Sequence, residues 1–183
     1  MLYIMRHGQT DWNVKFKLQG RTDIPLNDNG RDMARQAHDE YLNVHFDICF
    51  CSPLKRARET AELLLEGRDV PIIIDDRLRE MSFGIYEGKE NAIEDTDSPI
   101  YTLFHDPENY KTPVEDGESF DELFARTGEF LRDTVKPQLD KGLDVLIVGH
   151  GAMNCSIICQ LNNVPISEFW SAGIENCKLK KLL

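Results

Sequence analysis

At 183 residues, 41% of them hydrophobic and 29% charged, the chain has the length and composition of one soluble globular domain with a sizeable core. Its formal net charge of −11 argues against nucleic acid or an anionic membrane as partner, since both demand a basic surface, so any bound anion must be held by a local positive cluster. Five cysteines without CxxC pairing, and an apolar pattern starting at the second residue with no leader-like segment before it, lead us to expect a reduced, cytoplasmic protein whose thiols are buried small hydrophobes.

In chain order, Leu2, Tyr3, Ile4 and Met5 read as a buried strand that ends in Arg6, His7 and Gly8. An irregular stretch over 15–26 follows, containing Gln19, Gly20 and Pro25. Asn27 can cap a helix from residue 28 whose apolar face is Met33, Ala34, Ala37, Tyr41 and Leu42, although Gly30 stands where a capping box would place an acid. Residues 46–51 read as a second strand. Ser52 and Pro53 are expected to open a helix that carries Arg56 in its first turn and Arg58 beyond it. Residues 72–74 form a third strand, followed by Asp75, Asp76, Arg77, Leu78, Arg79 and Glu80.

From 84 to 118 the texture changes to Gly, Pro, scattered aromatics and ten carboxylates against two lysines, which we read as an inserted cap or lid with some helix in it. Ser119 and Glu122 have capping-box spacing, and the helix they open is expected to end or kink at Pro137. Residues 145–148 are a fourth strand running into Gly149, His150 and Gly151, with a largely buried helix over 152–161. The stretch 145–167 lacks Asp, Glu, Lys and Arg, but His150, Asn154 and Pro165 interrupt it too often for a membrane span. A helical turn within 164–172 and an edge strand within 177–183 complete the chain.

Two strands thus each deliver a histidine at the carboxyl end, the edge of an open α/β sheet where ligands bind. If the strands are parallel neighbours, one crevice collects two imidazoles, guanidiniums and the Glu80 carboxyl group. That set suits a phosphate monoester: Arg supplies planar, permanently charged donors for the oxygens, and a neutral imidazole next to guanidiniums is a competent phosphoryl acceptor. Glu80 can hand a proton to the leaving oxygen and later take one from water. A metal site built from the histidines with Asp75, Asp76 or Glu80 is the rival, but Arg6 would stand beside the bound cation and no HxH or HExxH spacing occurs.

The ordered motifs MRHGQTDWN, LQGRTDIPLNDNG, SPLKRARETA, LREMSFGIYEG, DGESFDEL and VGHG resemble the histidine phosphatase superfamily, in its phosphoglycerate mutase-like branch, across nearly the whole chain. The resemblance implies one domain, 1–183, folded as a three-layer α/β/α sandwich over a mixed, mostly parallel sheet, with no metal and no organic cofactor. By position it makes His7 the nucleophile that becomes phosphorylated. Arg6, Asn13, Arg56, His150 and the amides of Gly151 and Ala152 become the phosphate pocket, Glu80 the acid, and Gln19 and Gly20 substrate contacts. Mutases of this type generally place an Arg pair in the inserted segment, whereas 84–118 contains no Arg. A phosphomonoester hydrolase acting on a small phosphorylated metabolite is therefore the expectation. A cofactor-dependent phosphoglycerate mutase, or a phosphoprotein-binding module with little turnover, are the alternatives. Phe83, Tyr86, Tyr101, Phe104 and Tyr110 either face an aromatic leaving group or pack within the lid.

Overall fold

The apolar runs pair as a five-stranded sheet in the order β3-β2-β4-β1-β5. These strands are β1 (Leu2–Arg6), β2 (Ile48–Cys51), β3 (Ile72–Ile74), β4 (Val145–Gly149) and β5 (Leu179–Lys181). The first four are mutually parallel, and β5 closes one edge antiparallel to β1. The computed structural model describes residues 1–111 and 113–183, so residue 112 of the expected lid lies outside the described residues.

Side chains alternate across the sheet and both faces are covered, as near-continuous apolar strands require. On one face Met5, Cys49, Cys51, Leu146 and Val148 pack with Ala34 and Ala37 of α2 (Asp28–Glu40) and with Ala57, Ala61 and Leu64 of α3 (Lys55–Leu64). On the other, Leu2, Ile4, Phe50, Val145 and Ile147 meet α5 (Phe120–Phe130) and α7 (Gly151–Asn162). The three-layer sandwich is thus present. All five cysteines are buried and unpaired, and Cys51 is pushed well up by burial, as are the others to lesser degrees.

Several local expectations are refined. A short helix, α1 (Asp11–Val14), follows the first loop, closed by a reciprocal Thr10–Asn13 capping box. Asn27 caps α2 through the Gly30 amide, and the missing acid has a steric reason: a Cβ at Gly30 would lie 2.0 Å from the Gln9 carbonyl oxygen. Ser52 does not cap the next helix. The helix starts at Lys55 with Leu54 at the cap position, and the Ser52 hydroxyl accepts from the Leu54 amide at 3.4 Å and lies 2.7 Å from His150 Nε2.

The Ser119–Glu122 box forms as expected. The helix behind it runs past Pro137 through a π-helical turn, Leu131–Val135, into α6 (Lys136–Asp140), so the extra residue in the turn accommodates the missing proline N–H. The described residues of 84–118 contain α4 (Pro99–His105) and two 3-10 turns, Gly84–Tyr86 and Pro107–Asn109. The segment is anchored by buried Glu118, which accepts from Arg126 at 2.6 and 2.9 Å and from Arg21 at 3.1 Å.

Candidate active site

Strand register alone brings the two histidines together. Arg6 is paired with Gly149 across β1 and β4, so His7 and His150 are the next residues on adjacent parallel strands. The His7 amide donates to the Gly149 carbonyl at 2.9 Å, and the two rings lie 5.2 Å apart. β2 flanks β4 on its other side and delivers Ser52, while α3 turns Arg56 back over the same edge.

His7 is fixed in one chemical state by its neighbours. Its Nδ1 lies 2.7 Å from the Gly8 carbonyl, which can only accept, so that nitrogen carries the proton. Arg56 Nε, 3.2 Å from His7 Nε2, can only donate, so Nε2 presents its lone pair. Burial, then the Arg56 and Arg6 cations, hold the His7 pKa well below the usual imidazole range. The result is a neutral imidazole with its basic nitrogen beside two guanidiniums.

Arg56 is itself buried, with two of its four remaining N–H donors on the carbonyls of Thr22 at 2.9 Å and Gly20 at 2.7 Å. Desolvation lowers its pKa to about 10, partly opposed by Glu80, Asp23 and Glu87. It remains the cation at neutral pH, with backbone carbonyls rather than a carboxylate bonded to it. Arg6 Nε is buried without a hydrogen-bond partner. A bound dianion suits both groups, since guanidiniums with free donors are strong oxyanion hosts. Arg58, by contrast, is exposed on the outer side of α3 and reaches Glu62 at 3.9 Å.

Arg6, His7, Asn13, Gln19, Gly20, Arg56, Glu80, Gly151 and Ala152 all line one cleft of about 460 Å³, so most of the expected site residues converge. Asn13 Oδ1 accepts from the Thr10 amide at 3.0 Å, and the residue lines the cleft. Gln19 Oε1 accepts from Thr10 at 3.0 Å. Gly20 is needed for shape: its φ is +54°, and a Cβ there would strike Glu87 at 2.0 Å.

Two of the expected phosphate contacts have partners within the protein. The Ala152 amide donates to Glu80 Oε2 at 3.2 Å. Met153 and Met81 donate to Glu80 Oε1 at 3.0 and 2.8 Å, so the carboxylate occupies the N-terminus of α7 that the phosphate was expected to share. His150 is fully buried beside His7, with Nε2 2.7 Å from the Ser52 hydroxyl and Nδ1 without a partner.

Sequence reasoning missed three supporting residues. Thr60 Oγ1 accepts from the Gly8 amide at 3.0 Å, and its position one turn after Arg56 on the same helix face was the available signal. Glu87 clamps the 20–22 loop by accepting from the Arg21 and Thr22 amides at 2.9 and 2.8 Å. Asn176 donates to the His7 carbonyl from the far end of the chain.

The buried imidazoles predict a pH effect on stability. His150 is held neutral by burial first, then by Arg56, His7 and Arg6, as His7 is by burial and the same guanidiniums. Below about pH 6.5 the unfolded chain takes up protons on both residues and the native chain does not. Their contribution is therefore complete above that pH and lost as pH falls. Urea unfolding should give a free energy lower by roughly 2–4 kcal/mol at about pH 5 than at about pH 7. An unchanged value would mean that the native state protonates them freely.

A mostly parallel sheet with a histidine, one buried and one half-buried arginine and a carboxylate at its carboxyl edge defines an α/β protein equipped for phosphoryl transfer. The chain belongs to the histidine phosphatase superfamily, branch 1, whose family model matches residues 2–183. It is 33% identical over 178 residues to the adenosylcobalamin/alpha-ribazole phosphatase of Salmonella typhimurium, covering 95% of this chain and 85% of that one. It is 30% identical over 180 residues to 2,3-bisphosphoglycerate-dependent phosphoglycerate mutase 2 of Gloeobacter violaceus, covering 97% and 82%. Among solved structures, Bacillus stearothermophilus YhfR superposes with a TM-score of 0.87 at 31% identity, covering 97% of this chain and 88% of that one.

Proposed function

We propose that this chain hydrolyses a phosphomonoester of a small metabolite through a phosphohistidine at His7, without a metal ion or organic cofactor. The observation that carries the reading is the state of His7: Nδ1 is tied to the Gly8 carbonyl, and Nε2 offers a lone pair beside the Arg56 and Arg6 guanidiniums. In the first transfer Nε2 attacks phosphorus, the P–O bond to the alcohol breaks, and Glu80 gives its proton to the departing oxygen. Glu80 Oε1 already accepts two amide bonds and Oε2 only one, so Oε2 is the oxygen to which we assign the proton transfer. In the second transfer water attacks phosphorus, the N–P bond breaks, Glu80 takes the water proton, and inorganic phosphate leaves.

Arg6, Arg56, Asn13 and the Gly151 amide are the groups we assign to the phosphate, with His150 supporting His7 from beside it. We read 84–118 as a lid within a single domain, and the five unpaired buried thiols support a reducing, cytoplasmic setting. No helix among the described residues is long and apolar enough to cross a membrane.

Hydrolysis is favoured over isomerisation because 84–118 has no Arg to hold a substrate's second anion. Purified protein should release phosphate from p-nitrophenyl phosphate in excess EDTA. With 3-phosphoglycerate and a trace of 2,3-bisphosphoglycerate it should not form 2-phosphoglycerate. Activity that needs added metal overturns the chemistry; isomer as the main product makes it a mutase; tight phosphoprotein binding without turnover makes it a binding module.

A further inference from the structure

We propose that the alcohol released by this enzyme is a flat aromatic one with no second anionic group, and that Phe104 and Trp170 set this preference. The inference rests on the hydrolase reading above and specifies its substrate class. A phosphate fills only the floor of the cleft of about 460 Å³, so most of that space faces the rest of the substrate.

The walls above the floor are aromatic. Phe104 from α4 and Trp170 from the 3-10 turn Ile166–Ala172 stack with ring centres 4.3 Å apart and an interplanar angle of 14°. The indole is fixed, because its N–H donates to the Leu103 carbonyl at 2.8 Å. Phe83 lies 5.9 Å from Phe104, and Trp12 and Phe16 line the cleft as well. Phe16 takes a φ of +51° as the residue that ends α1, its amide donating to the Asn13 carbonyl and that of Lys17 to the Trp12 carbonyl, and this turn sets its ring, 75% exposed, at the cleft rim. Tyr86, Tyr101 and Tyr110 are absent from the wall: Tyr86 lies under Lys89, Tyr101 stacks on His105 and Tyr110 is buried against Phe120. Half-buried aromatic faces with their one polar handle already satisfied offer dispersion and stacking.

Charge above the floor points the same way. Lys17 is the one cation there among the described lining residues, and its ammonium is 3.5 Å from Glu90 and 5.9 Å over the Trp12 ring. Glu94 lines the same region. A carboxylate or second phosphate on the substrate would lose water and meet a cation already paired and a carboxylate of its own sign.

The test compares esters that all expel an alkoxide, so that leaving-group ability does not decide the result: 2-phenylethyl phosphate, ethyl phosphate, O-phosphoserine and 3-phosphoglycerate. We expect kcat/KM for 2-phenylethyl phosphate to exceed that for ethyl phosphate by at least about tenfold, and that for the two anionic substrates by about a hundredfold. Phe104→Ala and Trp170→Ala should each lower the 2-phenylethyl value about tenfold and leave ethyl phosphate within about twofold. Within-variant ratios cancel any loss of folded protein, and the wild-type series is decisive by itself. Equal or better turnover of 3-phosphoglycerate or O-phosphoserine overturns the inference and leaves the hydrolase intact. So does a variant that slows both neutral esters equally. No hydrolysis of any ester overturns the hydrolase reading and this inference with it.

Discussion

His7→Ala is expected to lower kcat/KM for p-nitrophenyl phosphate by on the order of 10⁴-fold or more. A nucleophile that carries the transferred group has no substitute: the second imidazole, His150, has its Nε2 committed to the Ser52 hydroxyl at 2.7 Å. The guanidiniums of Arg6 and Arg56 survive the substitution, so the variant should still bind inorganic phosphate or vanadate while failing to turn over. That separates loss of chemistry from loss of the pocket. Rapid quench of the wild-type enzyme with labelled substrate should show label on the protein that is stable in alkali and released by acid, as an N–P bond is. Label stable to acid, or a rate in His7→Ala within tenfold of wild type, would remove His7 from the reaction.

Why some of this was legible in the sequence and some was not has a consistent physical origin. His7 and His150 were readable because a short apolar run ending in Gly marks a strand and its exit, and the parallel β1–β4 register then places both imidazoles side by side. Arg56 was readable because the first turn of a helix after a strand lies at the same edge. What failed was the assignment of hydrogen-bond partners. Ser52 before Pro53 has every local feature of a helix cap, yet the helix starts at Lys55, and the hydroxyl that accepts from the Leu54 amide also meets a histidine 98 positions away. The Ala152 amide sits where a phosphate cradle is expected, yet Glu80 claims it from 72 positions away. Donors and acceptors are local in sequence, whereas the competition for them is settled in three dimensions. The lid aromatics follow the same rule: composition counted five, and only packing could divide Phe83 and Phe104, which face the cleft, from the three tyrosines that do not.

Glu80→Gln should separate the two halves of the reaction. Gln keeps the size of the side chain, and its oxygen can still accept from Met81 and Met153, so the N-terminus of α7 stays occupied. What it removes is a transferable proton. For an alkyl phosphate, whose alkoxide cannot leave unprotonated at an appreciable rate, kcat/KM should fall by about 10²–10⁴-fold. For p-nitrophenyl phosphate the leaving phenolate needs no proton, and kcat/KM, which reports only the first transfer, should fall less than about tenfold. Steady-state kcat on that same substrate should nevertheless drop by about 10²-fold or more, because the second transfer has lost the group that deprotonates water. The signature is a burst of nitrophenolate equal to the enzyme present, followed by slow turnover with phosphoenzyme accumulating. Equal losses in kcat/KM for both esters would instead assign Glu80 to holding α7 in place. Loss on the alkyl ester without a burst on the aryl ester would keep it as the acid and leave water activation to another group.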